Sequence, residues 1–536
     1  MVSKQYYSKI GIVFLLTLLT AFGSYAQKGT PQIVVQPFLQ DATPNSIIIK
    51  WETSFGEESL VEWGLTPKLK NNTKGKSYSI NFNESRVHEV EIKELKRFTD
   101  YYYRVKTGKT TSDVFQFKTP PFASDEESFN LVAMSDMQYD WQYPNKFSEM
   151  VNEGVLQYLE KEYSGSLSKN LALVMLPGDL VENGAVYNQW KDHFFGPSKE
   201  LFSKVPVYPV PGNHERNSRF YFKYFSLPEN GTPAYAEHWY YKDYGNTRII
   251  GLDSNDGYHD ISAQLDWLKV LLKKTAEDAS IDFVFAQLHH PHKSELWIPG
   301  EAKFSGKVVK LLEAFSTQTG KPSIHFFGHT HGYSRGQSKD HKHLWINVAT
   351  AGGAIDNWGE FEGRDYDEFT VTQDEYGFVM VEVDGSKTDP KFTVKRISRG
   401  NNKQFRSNEL RDSITIWKNE RKPNPPTGIS PKDAPVKYLN IVLKAGNFGS
   451  KYTGTFHAAS HWQISTTENF EKPVVDRWKQ HENWYYEANR QKEDDLTDEV
   501  IERLKPEHKY FWRVRYRDQN LNWSDWSTVT VFKTIK

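Results

Sequence analysis

Leu171-Ala-Leu-Val-Met-Leu-Pro-Gly-Asp-Leu-Val-Glu-Asn-Gly184 decides the fold class. Its first six residues are an unbroken apolar run of strand length, the pattern of a strand buried on both faces. Proline and glycine end the run and deliver Asp179 just beyond it. The same order recurs four more times between residues 129 and 331. Phe129–Ala133 precedes Met134-Ser-Asp-Met-Gln138, and Val205–Val210 precedes Gly212-Asn-His-Glu215. Phe283–Leu288 precedes His289-His-Pro291, and Ile324–Phe327 precedes Gly328-His-Thr-His331. Apolar strands alternate here with amphipathic stretches. Ser262 to Ala276, with Leu265, Leu268, Leu271 and Leu272 on one stripe, predicts a helix. Residues 126–400 therefore read as an α/β catalytic-type domain.

Ligand-type side chains at the carboxyl ends of successive strands converge on one crevice in such folds. Carboxylate, imidazole and amide oxygen together suit Fe, Zn or Mn, and the chain has no cysteine to offer a softer site. Two carboxylates among neutral ligands leave a two-ion site with net positive charge, which suits phosphate. Glycines before Asp179, Asn213 and His329 allow the tight turns that swing these side chains over the sheet edge. His193, His238 and His259 have no comparable context and are not expected to be ligands.

The flanks read differently. From about residue 30 to 121, Ser46–Trp51, Leu60–Trp63, Val87–Ile92 and Tyr101–Val105 are short strands separated by turns, closed by Pro120-Pro121. Residues 401–426 are polar, end in Asn-Pro-Pro, and read as a linker. From 427 to 536 the strand pattern returns in Trp462–Ser465, Tyr510–Arg517 and Val529–Phe532. Arg513, Arg515 and Arg517 share a strand face, and Trp523-Ser-Asp-Trp-Ser527 follows. That pairing resembles the Trp-Ser-x-Trp-Ser element of cytokine-receptor modules, and cation–π stacking accounts for it as structure. Both flanking segments are expected to be all-β sandwiches, and the aromatic content of 15% fits their cores.

At the N-terminus, Lys4 and Lys9 precede an apolar run from Ile10 to Phe22, and Ser24-Tyr25-Ala26 supplies a small-x-small pattern. This predicts a signal peptide over residues 1–26 and a periplasmic or secreted protein. The run is too short for a confident span, and no later stretch suits one. A net charge of −1 gives no nucleic-acid-binding signature. The absence of cysteine excludes disulfides.

"GDLVENG", "GNHE" and "GHTHGYSR", in this order, resemble the calcineurin-like metallophosphoesterases, a superfamily that includes the purple acid phosphatases. "VEWG", "Tyr-Tyr-Tyr-Arg-Val" and "Phe-Lys-Thr-Pro-Pro" in the first segment resemble the fibronectin type III-like N-terminal module of the latter. The resemblance implies a β-sandwich flanked by helices, with two divalent or mixed-valence metal ions at one edge. It implies that Asp136 and His331 bind the first ion, that Asp179 bridges, and that Asn213, His289 and His329 hold the second. Gln138 stands where the family has His or Gly and is expected at the first metal. Glu182 replaces the tyrosine that colours purple acid phosphatases, so no purple iron centre is expected. The implied reaction is attack of hydroxide on a phosphate monoester, with His214 stabilising the transition state or protonating the leaving oxygen. His290, His292, Tyr333 and Arg335 are expected to contact a phosphorylated small molecule or glycan. Two alternatives stand beside this. One is a phosphodiesterase acting on nucleotides, glycerophosphodiesters or phosphorylated glycans; the other is a non-catalytic surface or polysaccharide-binding protein.

Overall fold

The computed structural model describes residues 29–82, 85–481 and 495–536; the expected signal peptide lies outside them. The centre is two mixed sheets packed face to face. The first runs Val207–Val210, Leu173–Pro177, Phe129–Ala133, Tyr376–Asp384, Lys391–Gly400, Phe405–Trp417. The second runs Tyr240–Tyr244, Thr247–Gly251, Phe283–Gln287, Ser323–Phe327, His343–Val348, Tyr333–Gln337, Phe369–Gln373. Strands 129–133, 173–177 and 207–210 are mutually parallel, as are 247–251, 283–287, 323–327 and 343–348. Parallel neighbours need crossover connections, so the loops leaving their carboxyl ends gather along one rim of the double layer.

The crossovers include helices on the outer faces. Asp260 caps the Ile261–Glu277 helix, its carboxylate accepting from the Ser262 amide at 2.8 Å. This helix turns Gln264, Leu268, Leu271, Leu272 and Thr275 inward. The Lys303–Thr319 helix beside it buries Phe304, Val308, Leu312 and Phe315 and ends on left-handed Gly320. On the other face, residues 146–162 and 187–202 are helical, with π-helical turns at Met150–Leu156 and Trp190–Phe195.

Residues 401–426 are not a linker throughout. Phe405–Trp417 pairs antiparallel with Lys391–Gly400 and closes the first sheet. It is an edge strand whose outward residues are mostly polar, with Phe405 and Leu410 also exposed, and only Ile414 and Ile416 are deeply buried apolar positions.

The N-terminal segment folds as two facing sheets built around Ser46–Thr53 and Asp100–Thr107. It does not stand apart from the centre. Val35, Phe38, Ile80 and Val87 belong to the same buried apolar cluster as the central strands, with the Phe38 and Phe195 rings 4.6 Å apart. Tyr103 donates to the Ser203 carbonyl at 2.7 Å, and the Ala42 amide to Tyr208 Oη at 3.0 Å. Glu52 accepts from Tyr224 Oη at 2.8 Å and from Tyr187.

The C-terminal segment is also two sheets, with its own core around Trp462, Trp512, Tyr516 and Leu443. The three arginines interleave with tryptophans: Arg513 over Trp526 at 4.1 Å, Arg515 over Trp523 at 4.5 Å, Arg517 over Trp478 and Trp523 at 4.9 Å. Beyond stacking, the ladder docks the segment. Trp523 Nε1 donates to the Lys339 carbonyl at 2.6 Å, and Gln337 and Arg517 both donate to Gln480 Oε1. Among the described residues no helix is long and apolar enough to cross a membrane.

Candidate metal centre

The loops of the rim hold their ligands in an unusual backbone conformation. Asp136, Asp179 and His329 have φ of 60°, 52° and 70°, the left-handed region that side chains other than glycine's rarely adopt. Such strain persists only where the surroundings over-determine it, and it concentrates at functional sites. The surroundings here are tight. A Cβ on Gly212 would lie 2.2 Å from Asp179 Oδ1, and one on Gly328 2.3 Å from Asp136 Oδ2.

Six expected ligands meet in one place. His289 Nε2 lies 3.1 Å from Asp179 Oδ2 and 2.9 Å from Asn213 Oδ1. Ligand atoms of Asp136, Asp179 and His289 lie within 4.8 Å of one another, as do those of His289, His290 and His329. His331 Nε2 lies 3.2 Å from Asp136 Oδ1. The tautomers suit coordination. His289 Nδ1 donates to the Pro177 carbonyl at 2.9 Å and His331 Nδ1 to the Ala354 carbonyl at 2.5 Å, so each turns Nε2 toward the carboxylates. Gln138 Oε1 is buried without a partner, while its Nε2 lies 3.0 Å from His331 Nε2. An orphaned amide oxygen there fits a cation, in the position expected for Gln138. The His and Asp clusters fit two divalent ions.

Electrostatics point the same way. Burial acts to lower the His289 pKa, but the Asp179 carboxylate overrides it and holds the imidazole up at about 9. Burial likewise opposes, and Asp136 overcomes, a rise at His331 to about 10. Asp179 is well below the usual carboxylate range: burial works against this, and His289 outweighs it. At neutral pH these two histidines hold protons. A metal must displace these protons, so affinity should climb with pH up to about 10. Zinc titrated calorimetrically at neutral pH into two buffers of different ionisation enthalpy should reveal roughly one to two protons released. Identical heats in both buffers would refute this.

Second-tier contacts that the sequence did not single out hold the site in shape. Glu215, fully buried, accepts from the amides of Asp179 at 2.9 Å, Leu180 at 2.8 Å and Gly212 at 2.6 Å. It pins two ligand loops together with one carboxylate. Burial, with Asp179 nearby, raises its pKa to about 7. The signal was its place in "GNHE" beside two assigned residues. Asp356 accepts from the His331 amide at 2.7 Å, far away in sequence and without a motif.

His214 flanks the centre: its amide donates to Asp179 Oδ1 at 2.9 Å and its Nδ1 to the Glu182 carbonyl at 2.6 Å, with Nε2 3.9 Å from Asp179 Oδ2. His290 lies against the His329 ring, 4.5 Å between centroids, and shares a hydrogen bond with Ser254 Oγ. Burial lowers its pKa to about 4, so it is neutral.

Three expected substrate contacts are corrected. Tyr333 is fully buried and donates to Asp412 Oδ2 at 2.7 Å. Arg335 forms a two-pronged pair with the same carboxylate, at 2.6 and 3.0 Å. Both join the two central sheets, because alternate residues of the Tyr333–Gln337 strand face Asp412 on the Phe405–Trp417 strand. His292 packs its ring against Trp345, 5.5 Å between centroids, and beneath Gly306.

His238, Asp253 and His259 form a further cluster of ligand-type atoms. Gln264 accepts from the Asp253 amide and donates to the Asp253 carbonyl, which fixes its amide orientation. Its remaining N–H therefore donates to His259 Nε2 at 2.8 Å. The His259 proton is then on Nδ1, 3.5 Å from Asp253 Oδ2, while His238 Nδ1 lies 2.6 Å from the same oxygen.

Residues 129–333 match the family described as calcineurin-like phosphoesterase, and residues 32–119 the purple acid phosphatase N-terminal domain. Purple acid phosphatase 21 of Arabidopsis thaliana is 25% identical over 292 residues, covering 52% of this chain and 60% of that protein. Probable inactive purple acid phosphatase 27 of the same plant is 24% identical over 386 residues, covering 62% and 58%. The chain thus spans about 60% of the length of these relatives. Purple acid phosphatase PPD1 from yellow lupin superposes with a TM-score of 0.56 at 18% identity, covering 72% of this chain and 74% of that one. PhoD superposes at 0.53 and 12%, covering 72% and 90%. These two likenesses bear on the fold alone.

Proposed function

We propose that this protein, whose residues 129–333 match the calcineurin-like phosphoesterases and residues 32–119 the purple acid phosphatase N-terminal domain, is an exported hydrolase of phosphate esters. One observation carries the reading: Asp136, Asp179 and His289 place their ligand atoms within 4.8 Å of one another on the family's strand-end loops. Two ions held there would acidify water into a hydroxide nucleophile and neutralise the phosphoryl oxygens. Asp136, His331 and Gln138 would hold one ion, Asn213, His289 and His329 the other, and Asp179 both. The monoester expected from the resemblance and the diester alternative share this machinery. We read the flanking sandwiches as fibronectin type III-like supports.

The rest is done by side chains. His214, fixed through Nδ1 by the Glu182 carbonyl, presents Nε2 to hydrogen-bond the phosphoryl group or pass a proton to the departing alcohol. His290, which lines a cavity beside Asn213, would be a second imidazole near incoming substrate. His214→Ala should keep metal content intact and slow p-nitrophenyl phosphate turnover by about a hundredfold. Unchanged turnover would remove His214 from the mechanism. The metal-loaded chain binding phosphorylated glycan without hydrolysing any ester would favour the surface-binding alternative.

Export rests on Lys4, Lys9, the Ile10–Phe22 run and Ser24-Tyr25-Ala26. N-terminal sequencing of protein from its native host should start at Gln27; a chain still starting at Met1 or Val2 would rule cleavage out.

A further inference from the structure

Two cavities flank the ligand set, one on each side. The first, of 470 Å³, is lined by Gln138, Tyr139, Tyr143, Asn152, His193 and Lys199, among others. It shares Gln138 with the centre, on the side of Asp136 and His331. Both π-helical turns contribute to it, Asn152 from one and His193 from the other. Such turns are frequent at functional sites because they displace side chains from helical register. Tyr139 stacks on His193 with centroids 4.5 Å apart, which gives the cavity a flat aromatic wall.

The second cavity, of 320 Å³, is lined by Asn213, Ser254, Asn255, Asp256, Tyr258 and His290, with Ala302. It shares Asn213 with the centre, on the side of His289. Its loop follows Thr247–Gly251, next to the Phe283–Gln287 strand that carries His289. Both volumes fall within the span of roughly 300–1,000 Å³ usual for small-ligand sites.

A phosphate monoester has one organic group and needs one such space. Resting on the hydrolase reading above, we propose that the substrate is a phosphodiester, with one alcohol group in each cavity. Charge supports the same class. Lys199 is the one cation among the described residues lining either cavity, against Asp140, Asp192 and Asp256. A monoester dianion gains little from such walls, whereas a diester carries a single charge, which the centre meets. Beside these charges the linings offer amides, hydroxyls and aromatic faces, which suit neutral, hydroxyl-bearing or ring-bearing groups, while the three carboxylates disfavour a further terminal phosphate. Water adds its oxygen to phosphorus, one P–O bond to an alcohol breaks, and the alcohol leaves with a proton. The product is a monoester, retained by the other cavity.

Two P–C-bonded probes that cannot be hydrolysed separate binding from turnover: diphenylphosphinate, with two rings and one charge, and phenylphosphonate, with one ring. Calorimetry on the metal-loaded protein should find the former bound about tenfold more tightly, the weight of one added aromatic contact. Tyr139→Ala and Tyr258→Ala should each erode that preference; both side chains are over a third exposed, at 38% and 45%, so the fold should tolerate their loss. The kcat/KM for bis(p-nitrophenyl) phosphate should likewise exceed that for p-nitrophenyl phosphate. A preference for the one-ring probe and the monoester, with hydrolysis intact, would overturn the two-cavity proposal alone. Hydrolysis of neither ester would overturn the hydrolase reading and this proposal together.

Discussion

Asp179→Ala is expected to strip both metals from the protein and lower phosphoesterase activity by at least roughly a thousandfold, the scale on which one preorganised electrostatic element acts. Asp179 is the residue assigned to both ions in the proposed centre. Its Oδ2 faces His289 at 3.1 Å and its Oδ1 accepts from the His214 amide at 2.9 Å. Removing the carboxylate withdraws the negative charge that outweighs His289's burial, and it frees an amide beside the proposed catalytic imidazole. Added metal should not rescue the variant, because no other side chain takes the shared position. Metal analysis and a chromogenic ester assay on the same preparation check this. Two retained ions with ordinary activity would sink the central functional claim.

Glu215→Gln should be nearly as damaging without touching a metal or substrate. Three backbone N–H groups converge on the Glu215 carboxylate. A glutamine offers one accepting oxygen and turns an NH₂ toward at least one of those donors. Burying unpaired donors face to face costs roughly 2–4 kcal/mol. The loss falls on the loops that carry Asp179 and Asn213, so metal affinity should drop along with the melting temperature. The Glu215→Asp variant keeps the charge but shortens the reach, and should fall between. A glutamine variant with wild-type stability and metal content would show that the carboxylate is dispensable.

The sequence made the core legible because the ligand-type residues sit just past apolar runs too continuous to be anything but buried strands. Phe129–Ala133 and Phe283–Leu288 are read that way, and the structure ends them within one residue of the expected bounds. What escaped was determined by distant chain. Tyr333 and Arg335 follow His331 so closely that a pocket role is natural, yet strand alternation aims them at Asp412, some eighty residues later. Residues 405–417 read as linker because this edge strand exposes apolar Phe405 and Leu410 among its polar groups, which breaks the alternation. Asp356 holds the His331 amide from a loop with no motif, and nothing local could have announced it.

The shared core between the N-terminal sandwich and the central sheets bears on how the molecule comes apart. Phe38 against Phe195, Tyr103 on Ser203 and Glu52 between two tyrosines leave that segment no surface on which to separate cleanly. Detaching it would bare apolar rings and orphan buried polar groups on both sides at once. Although the N-terminal sandwich has a further cluster of its own around Trp51 and Tyr103 and matches a different family model, residues 29–417 are therefore expected to unfold as one cooperative unit. The C-terminal sandwich, with a core of its own and mainly polar docking, is free to melt as a separate calorimetric transition. In this protein the unit of inheritance and the unit of cooperativity are drawn along different lines.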